Sequence, residues 1–116
     1  MPNPVVHFEV LGQDAEATQA FYAKIFDWPM EKVMDAYAMV RPVGEDGIAG
    51  GVGSTMGNGP GHSTFYVEVD DLQATLDAIE AAGGSTVQPP MDVPNGPTIA
   101  LFKDPDGNLV GLVKTR

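Results

Sequence analysis

The sequence predicts an α+β chain made of two βαβββ modules in tandem. Three observations carry that prediction. Shifting the chain by 57 positions brings Phe8 onto Phe65, Val10 onto Val67, Asp14 onto Asp71, Ala17 onto Ala74 and Thr18 onto Thr75, the self-similarity that repeated units leave. In each half an alternating apolar run precedes an Asp, and apolar residues at helical spacing follow it. The turn dipeptides Asp46-Gly47 and Asp106-Gly107 recur 60 positions apart, so an indel of three residues reconciles the two offsets.

The elements follow in order. Val6, Phe8 and Val10 point to one side of a first strand over 5–10, and His7 and Glu9 to the other. Asp14 is the N-cap of a helix that runs to about Phe26, with Ala17, Phe21 and Ile25 as its expected apolar stripe. Short strands follow near 31–35, 37–43 and 48–53, the last two joined by Gly44-Glu45-Asp46-Gly47. In the second half Phe65, Val67 and Val69 oppose Thr64, Tyr66 and Glu68, and Asp71 caps a helix whose stripe is Leu72, Leu76 and Ile79. Gly83-Gly84 supplies the left-handed residue that ends it. Strands near 86–88, 98–102 and 109–114 complete this half, with Asp104-Pro105-Asp106-Gly107-Asn108 as a turn. The densest glycine and proline cluster, Gly57-Asn58-Gly59-Pro60-Gly61, marks the joint, so the modules are expected at 1–57 and 58–116 of one structural domain.

Composition narrows the function. Lys plus Arg number 6 against 16 Asp plus Glu, a formal net charge of −10. Such a chain repels phosphate backbones and anionic bilayers, so neither nucleic acid nor a membrane is an expected partner. Cys is absent, which removes disulfides, thiolate catalysis and Cys-ligated metals. No apolar run approaches the roughly 20 residues of a membrane span. Met1-Pro2-Asn3-Pro4 has no charged or apolar leader region, and a cytoplasmic protein is the expectation.

Phe21-Tyr22 with Ile25-Phe26-Asp27-Trp28, then Val67-Glu68-Val69-Asp70-Asp71 leading into Ala81-Ala82-Gly83-Gly84, then Phe102-Lys103-Asp104-Pro105-Asp106-Gly107-Asn108, come in this order on a repeated unit. In this respect the chain resembles the vicinal oxygen chelate superfamily, the glyoxalase, bleomycin-resistance and extradiol-dioxygenase group, over nearly its whole length. The resemblance implies a mixed sheet curled into a cup, helices outside, with the cup as ligand site. It also implies four metal-ligand positions, one on the first and one on the last strand of each module. Here these fall on His7, Thr64, Gly50 or Gly51, and Gly111. Three of the four lack a strong donor, so the expected metal set is none and the expected cofactor none, as in the metal-free branch that includes the bleomycin-binding proteins.

The expected ligand-binding residues are His7, Glu9, Tyr66 and Glu68 on the cup face, with Trp28 and Tyr37 near its rim. Carboxylates in a cup would be desolvated and fit for proton transfer. They would equally stay wet or pair with Arg41 or Lys103. Trp28, Met30, Met34, Tyr37 and Met39 suit a hydrophobic ligand mouth and equally an ordinary core or a dimer contact. His62 reads as a solvent-exposed loop residue. Gly50-Gly51-Val52-Gly53 lacks the Lys-Ser/Thr of a phosphate loop and reads as a bend or a close backbone approach. The resulting expectation is a metal-free, small-molecule-binding homodimer. The rival is a metal-dependent lyase, isomerase or dioxygenase with displaced ligands among His7, Glu9, His62 and Glu68. A third reading is a dimeric scaffold with a vestigial cup.

Overall fold

The computed structural model describes residues 2–115. In chain order the elements are β1 (Val5–Gly12), α1 (Ala15–Phe26), β2 (Met30–Met34), β3 (Tyr37–Val40), β4 (Ala49–Ser54), β5 (His62–Val69), α2 (Leu72–Ala81), β6 (Ser85–Asp92), β7 (Thr98–Lys103) and β8 (Leu109–Lys114). This is βαβββ twice. The chain divides into two compact units, residues 7–64 and residues 65–115 together with 2–6.

Within the first unit the strand order is β2-β3-β4-β1. β1 runs parallel to β4, and β2-β3 and β3-β4 are antiparallel. The second unit repeats this as β6-β7-β8-β5, with β5 parallel to β8 and the other pairs antiparallel. β6 carries Pro89 and Pro90 and two register shifts. Those are features an edge strand tolerates, because proline has no N–H to give a ladder.

The sequence repeat has a local cause. Asp14 accepts a hydrogen bond from the Ala17 N–H at 3.2 Å, and the Thr18 hydroxyl donates back to the Asp14 carbonyl at 2.9 Å. Asp71, Ala74 and Thr75 make the same two bonds at 3.0 and 2.8 Å. Asp-x-x-Ala-Thr is thus one capping device used twice, satisfying donors that a helix start leaves open. The Asp104 turn is similarly self-contained. Its carboxylate accepts from the Asn108 side-chain amide at 2.8 Å and from the Asn108 and Asp106 N–H groups at 2.9 and 3.0 Å. These bonds, the Asn108 amide first, hold its pKa below the ordinary aspartate value. Gly83 follows α2 at φ 102°, the left-handed geometry that closes a helix without Cβ strain.

The α2 stripe packs as expected. Leu72 and Leu76 are buried with Val69, Ala100 and Leu112, and Ile79 lies against them. The expected α1 stripe does not pack: Phe21 and Ile25 are 57% and 54% exposed. The inward residues are Ala15, Thr18, Gln19, Tyr22 and Ala23, at the spacing of one helix face. Gln19 is buried because its side-chain amide donates to the Val52 carbonyl of β4 at 2.9 Å. Counted from the caps, Ala15, Gln19 and Tyr22 stand where Leu72, Leu76 and Ile79 stand in the second module. The hydrophobicity of Phe21 and Ile25 therefore misled where the repeat would have pointed correctly.

Among the described residues, no helix is long and apolar enough to cross a membrane.

Candidate functional site: a tyrosine held between histidine and glutamate

Register brings the site together. His7, Glu9 and Leu11 of β1 lie opposite Ala49, Gly51 and Gly53 of β4. On the other side of β4, Tyr37 and Met39 of β3 lie opposite Gly53 and Gly51. Directly opposed residues share a face, so His7, Glu9, Tyr37, Gly51 and Gly53 all present one face. The opposite face carries Phe8, Val10, Ala38, Val40, Gly50 and Val52, and it packs under α1.

On the first face the Tyr37 hydroxyl donates to Glu9 Oε2 at 3.0 Å. The same oxygen stands 2.9 Å from His7 Nε2. A phenol has one hydrogen. With that hydrogen given to Glu9, His7 supplies the other, so its Nε2 is protonated and donates to Tyr37. All three side chains are half-buried. Burial holds the His7 pKa below the ordinary value of 6.5, favouring neutral imidazole.

The glycines make this possible. A Cβ on Gly51 would overlap the Tyr37 hydroxyl, and one on Gly53 would come within 2.8 Å of Tyr37 Cδ1. The ring lies along a side-chain-free stretch of β4. On the other face a Cβ on Gly50 would overlap the Phe8 ring. The glycine-rich stretch is therefore approached closely by an aromatic ring on each side.

The other expected site residues are Trp28, Tyr66 and Glu68. Trp28 packs against Phe8, ring centroids 5.1 Å apart, and stacks on Tyr22 at 5.4 Å and 6°. It belongs to the face opposite His7. Tyr66 and Glu68 belong to the second unit. There Tyr66 is buried opposite Gly111, and a Cβ on Gly111 would meet the Tyr66 ring, with Cγ 2.8 Å away. Since Tyr66↔Gly111 is the counterpart of Glu9↔Gly51, register selects Gly51 over Gly50 as the equivalent of Gly111. His62, expected in a loop, is the first residue of β5 and is half-buried.

The donor set can be tested against a divalent metal. Of the positions the resemblance assigns, Gly51 and Gly111 have no side chain, and aromatic groups fill the space beside both. The His7 nitrogen facing the cluster is already engaged by the Tyr37 hydroxyl. Among the described residues no group of three His, Cys, Asp or Glu could hold a metal. These residues do not fit the four-ligand site.

Two βαβββ units, each with a parallel first-to-last strand pair, define the fold class. The sequence profile of the Glyoxalase/Bleomycin resistance protein/Dioxygenase superfamily matches residues 5–112, and the chain belongs to that superfamily. It is 44% identical over 61 residues to a probable lactoylglutathione lyase of Vibrio cholerae, covering 52% of this chain and 43% of that protein. It is 28% identical over 109 residues to the putative glyoxylase CFP32 of Mycobacterium bovis, covering 91% and 42%. The chain thus spans under half the length of these relatives. The Mn(II)-bound glyoxalase of Novosphingobium aromaticivorans superposes with a TM-score of 0.65 at 21% identity, covering 97% of this chain and 40% of that one.

Proposed function

We propose that this protein binds a small organic molecule on the His7–Tyr37–Glu9 face without a divalent metal. One observation carries the reading: the Tyr37 hydroxyl fills the space beside Gly51 while hydrogen-bonded to both His7 and Glu9. A carboxylate, a phenol and an imidazole in one half-buried patch suit a ligand that donates hydrogen bonds or carries positive charge. The net charge of −10 favours the same class in long-range attraction. In the second module, taken by itself, Tyr66 and Glu68 are the proposed ligand contacts, and in the first Trp28 supports the sheet behind the patch. The rival, a metal-dependent lyase, draws on the relatives' printed activity.

The test is metal content after purification without chelator, with melting temperatures in added zinc, nickel or manganese. Little metal and little shift are expected, because stabilisation follows RT ln(1 + [L]/Kd) and vanishes when Kd is large. Stoichiometric metal, or S-lactoylglutathione formed from methylglyoxal and glutathione on metal addition, would establish the rival. Ligand class is read by titrating benzylamine and benzoate against the His7 imidazole signals. The amine is expected to shift them and the carboxylate not.

A homodimer in the cytoplasm completes the proposal. Phe21, Ile25 and Phe26 leave apolar area on α1 more than half exposed, the kind of surface that self-association covers. Light scattering at tens of micromolar should give twice the chain mass, and Phe21→Ser with Ile25→Ser should lower it.

A further inference from the structure

Four features specify the place of one side chain. The Tyr37 ring lies over Gly53, and its hydroxyl lies where a side chain at residue 51 would begin. The hydroxyl is tied to Glu9 on one side and His7 on the other. Residue 51 faces Glu9 directly and His7 diagonally along β1. A donor grown from position 51 would therefore enter between imidazole and carboxylate, a convergence of three groups from two parallel strands. Tyr37 occupies that volume. It also changes the chemistry of its neighbours: accepting from Nε2–H leaves that nitrogen no lone pair, and donating to Oε2 engages the carboxylate. A neutral phenol is itself a poor ligand for hard or borderline divalent ions.

We propose that Tyr37 is the specificity-determining residue of this module, its hydroxyl excluding a divalent cation from the His7–Glu9 pair and reserving that pair for an organic hydrogen-bonding group. The proposal rests on the metal-free reading above and names the device that enforces it. Gly51 is the necessary companion, since any side chain there would displace the phenol. The second module places the Tyr66 ring against Gly111 at the matching register, from the first strand rather than the third. An aromatic ring beside a last-strand glycine thus occurs twice, by different routes.

The experiment compares wild type, Tyr37→Phe, Tyr37→Ala, and Tyr37→Ala combined with Gly51→Glu, with zinc as the probe in competition against a chromophoric chelator. Circular dichroism establishes folding. The double variant presents His7, Glu9 and a new carboxylate, and is expected to bind one zinc at least 100-fold more tightly than wild type. A folded double variant no tighter than a weakly binding wild type would overturn this inference and leave the metal-free reading standing. Stoichiometric tight zinc in wild type would overturn both. Nitrogen-15 shifts of the His7 ring give a second readout that does not need the double variant to fold. Wild type is expected as the Nε2–H tautomer, and Tyr37→Phe is expected to release that preference. An Nδ1–H ring in wild type, or a tautomer indifferent to Tyr37→Phe, would overturn the proposal.

Discussion

Gly51→Ala should be among the most damaging single-methyl additions in this chain, and the damage should vanish when Tyr37 is removed. The new Cβ would overlap the Tyr37 hydroxyl and ring. Overpacking of this kind costs about 1–3 kcal/mol. Driving the phenol out also breaks its bonds to His7 and Glu9, at about 0.5–1.5 kcal/mol each. Against this, alanine restricts the unfolded chain and favours the strand by roughly 0.5–1 kcal/mol. Gly51 is not in the left-handed region, so no backbone strain enters. The net is a destabilisation of about 3 kcal/mol, on the order of 10 °C in Tm for a domain of this size. In a Tyr37→Ala background the three atoms nearest that Cβ are gone, and the same change should stabilise by roughly 0.5–1 kcal/mol. Urea unfolding of wild type, both single variants and the double variant gives the coupling, expected at about 4 kcal/mol. A coupling below about 0.5 kcal/mol, the ordinary limit of additivity, would refute the packing of Tyr37 on Gly51.

Other expectations concern His7, Gln19 and the helix caps. Because burial lowers the His7 pKa, the unfolded chain binds its proton more tightly than the folded one. Stability is therefore full above the ordinary value of 6.5 and falls as pH drops through it, until the folded imidazole itself protonates. In His7→Gln this part of the pH dependence should be missing from denaturation curves between pH 7 and 5. Gln19→Ala strips the Val52 carbonyl of its buried partner and should cost about 1–3 kcal/mol by urea denaturation. Asp14→Ala and Asp71→Ala remove equivalent caps and should each cost about 1 kcal/mol. A silent substitution at either cap would show that end of its helix to be held by packing alone.

The sequence by itself determined what is local. Asp14 and Asp71 are caps because a carboxylate next to a free helix N–H bonds it in any context, so the two modules and their helix starts were legible from spacing. The Asp104 turn closes on Asn108 four residues away for the same reason. Alternation in β1 placed His7 and Glu9 together on one face, because parity needs no partner strand. Tertiary structure decided everything that depended on register. β4 reads Ala-Gly-Gly-Val-Gly, with too few side chains to show which residues face which side, so Gly50 and Gly51 were indistinguishable until pairing with β1 fixed them. Tyr37 reaches His7 from 30 positions away, through a hairpin and a parallel strand that no local pattern specifies. Gln19, outside the apolar stripe expected of α1, is buried because Val52 presents it a carbonyl. In each case the deciding contact lies between residues distant in sequence, and the energy that selects it exists only once the sheet has formed.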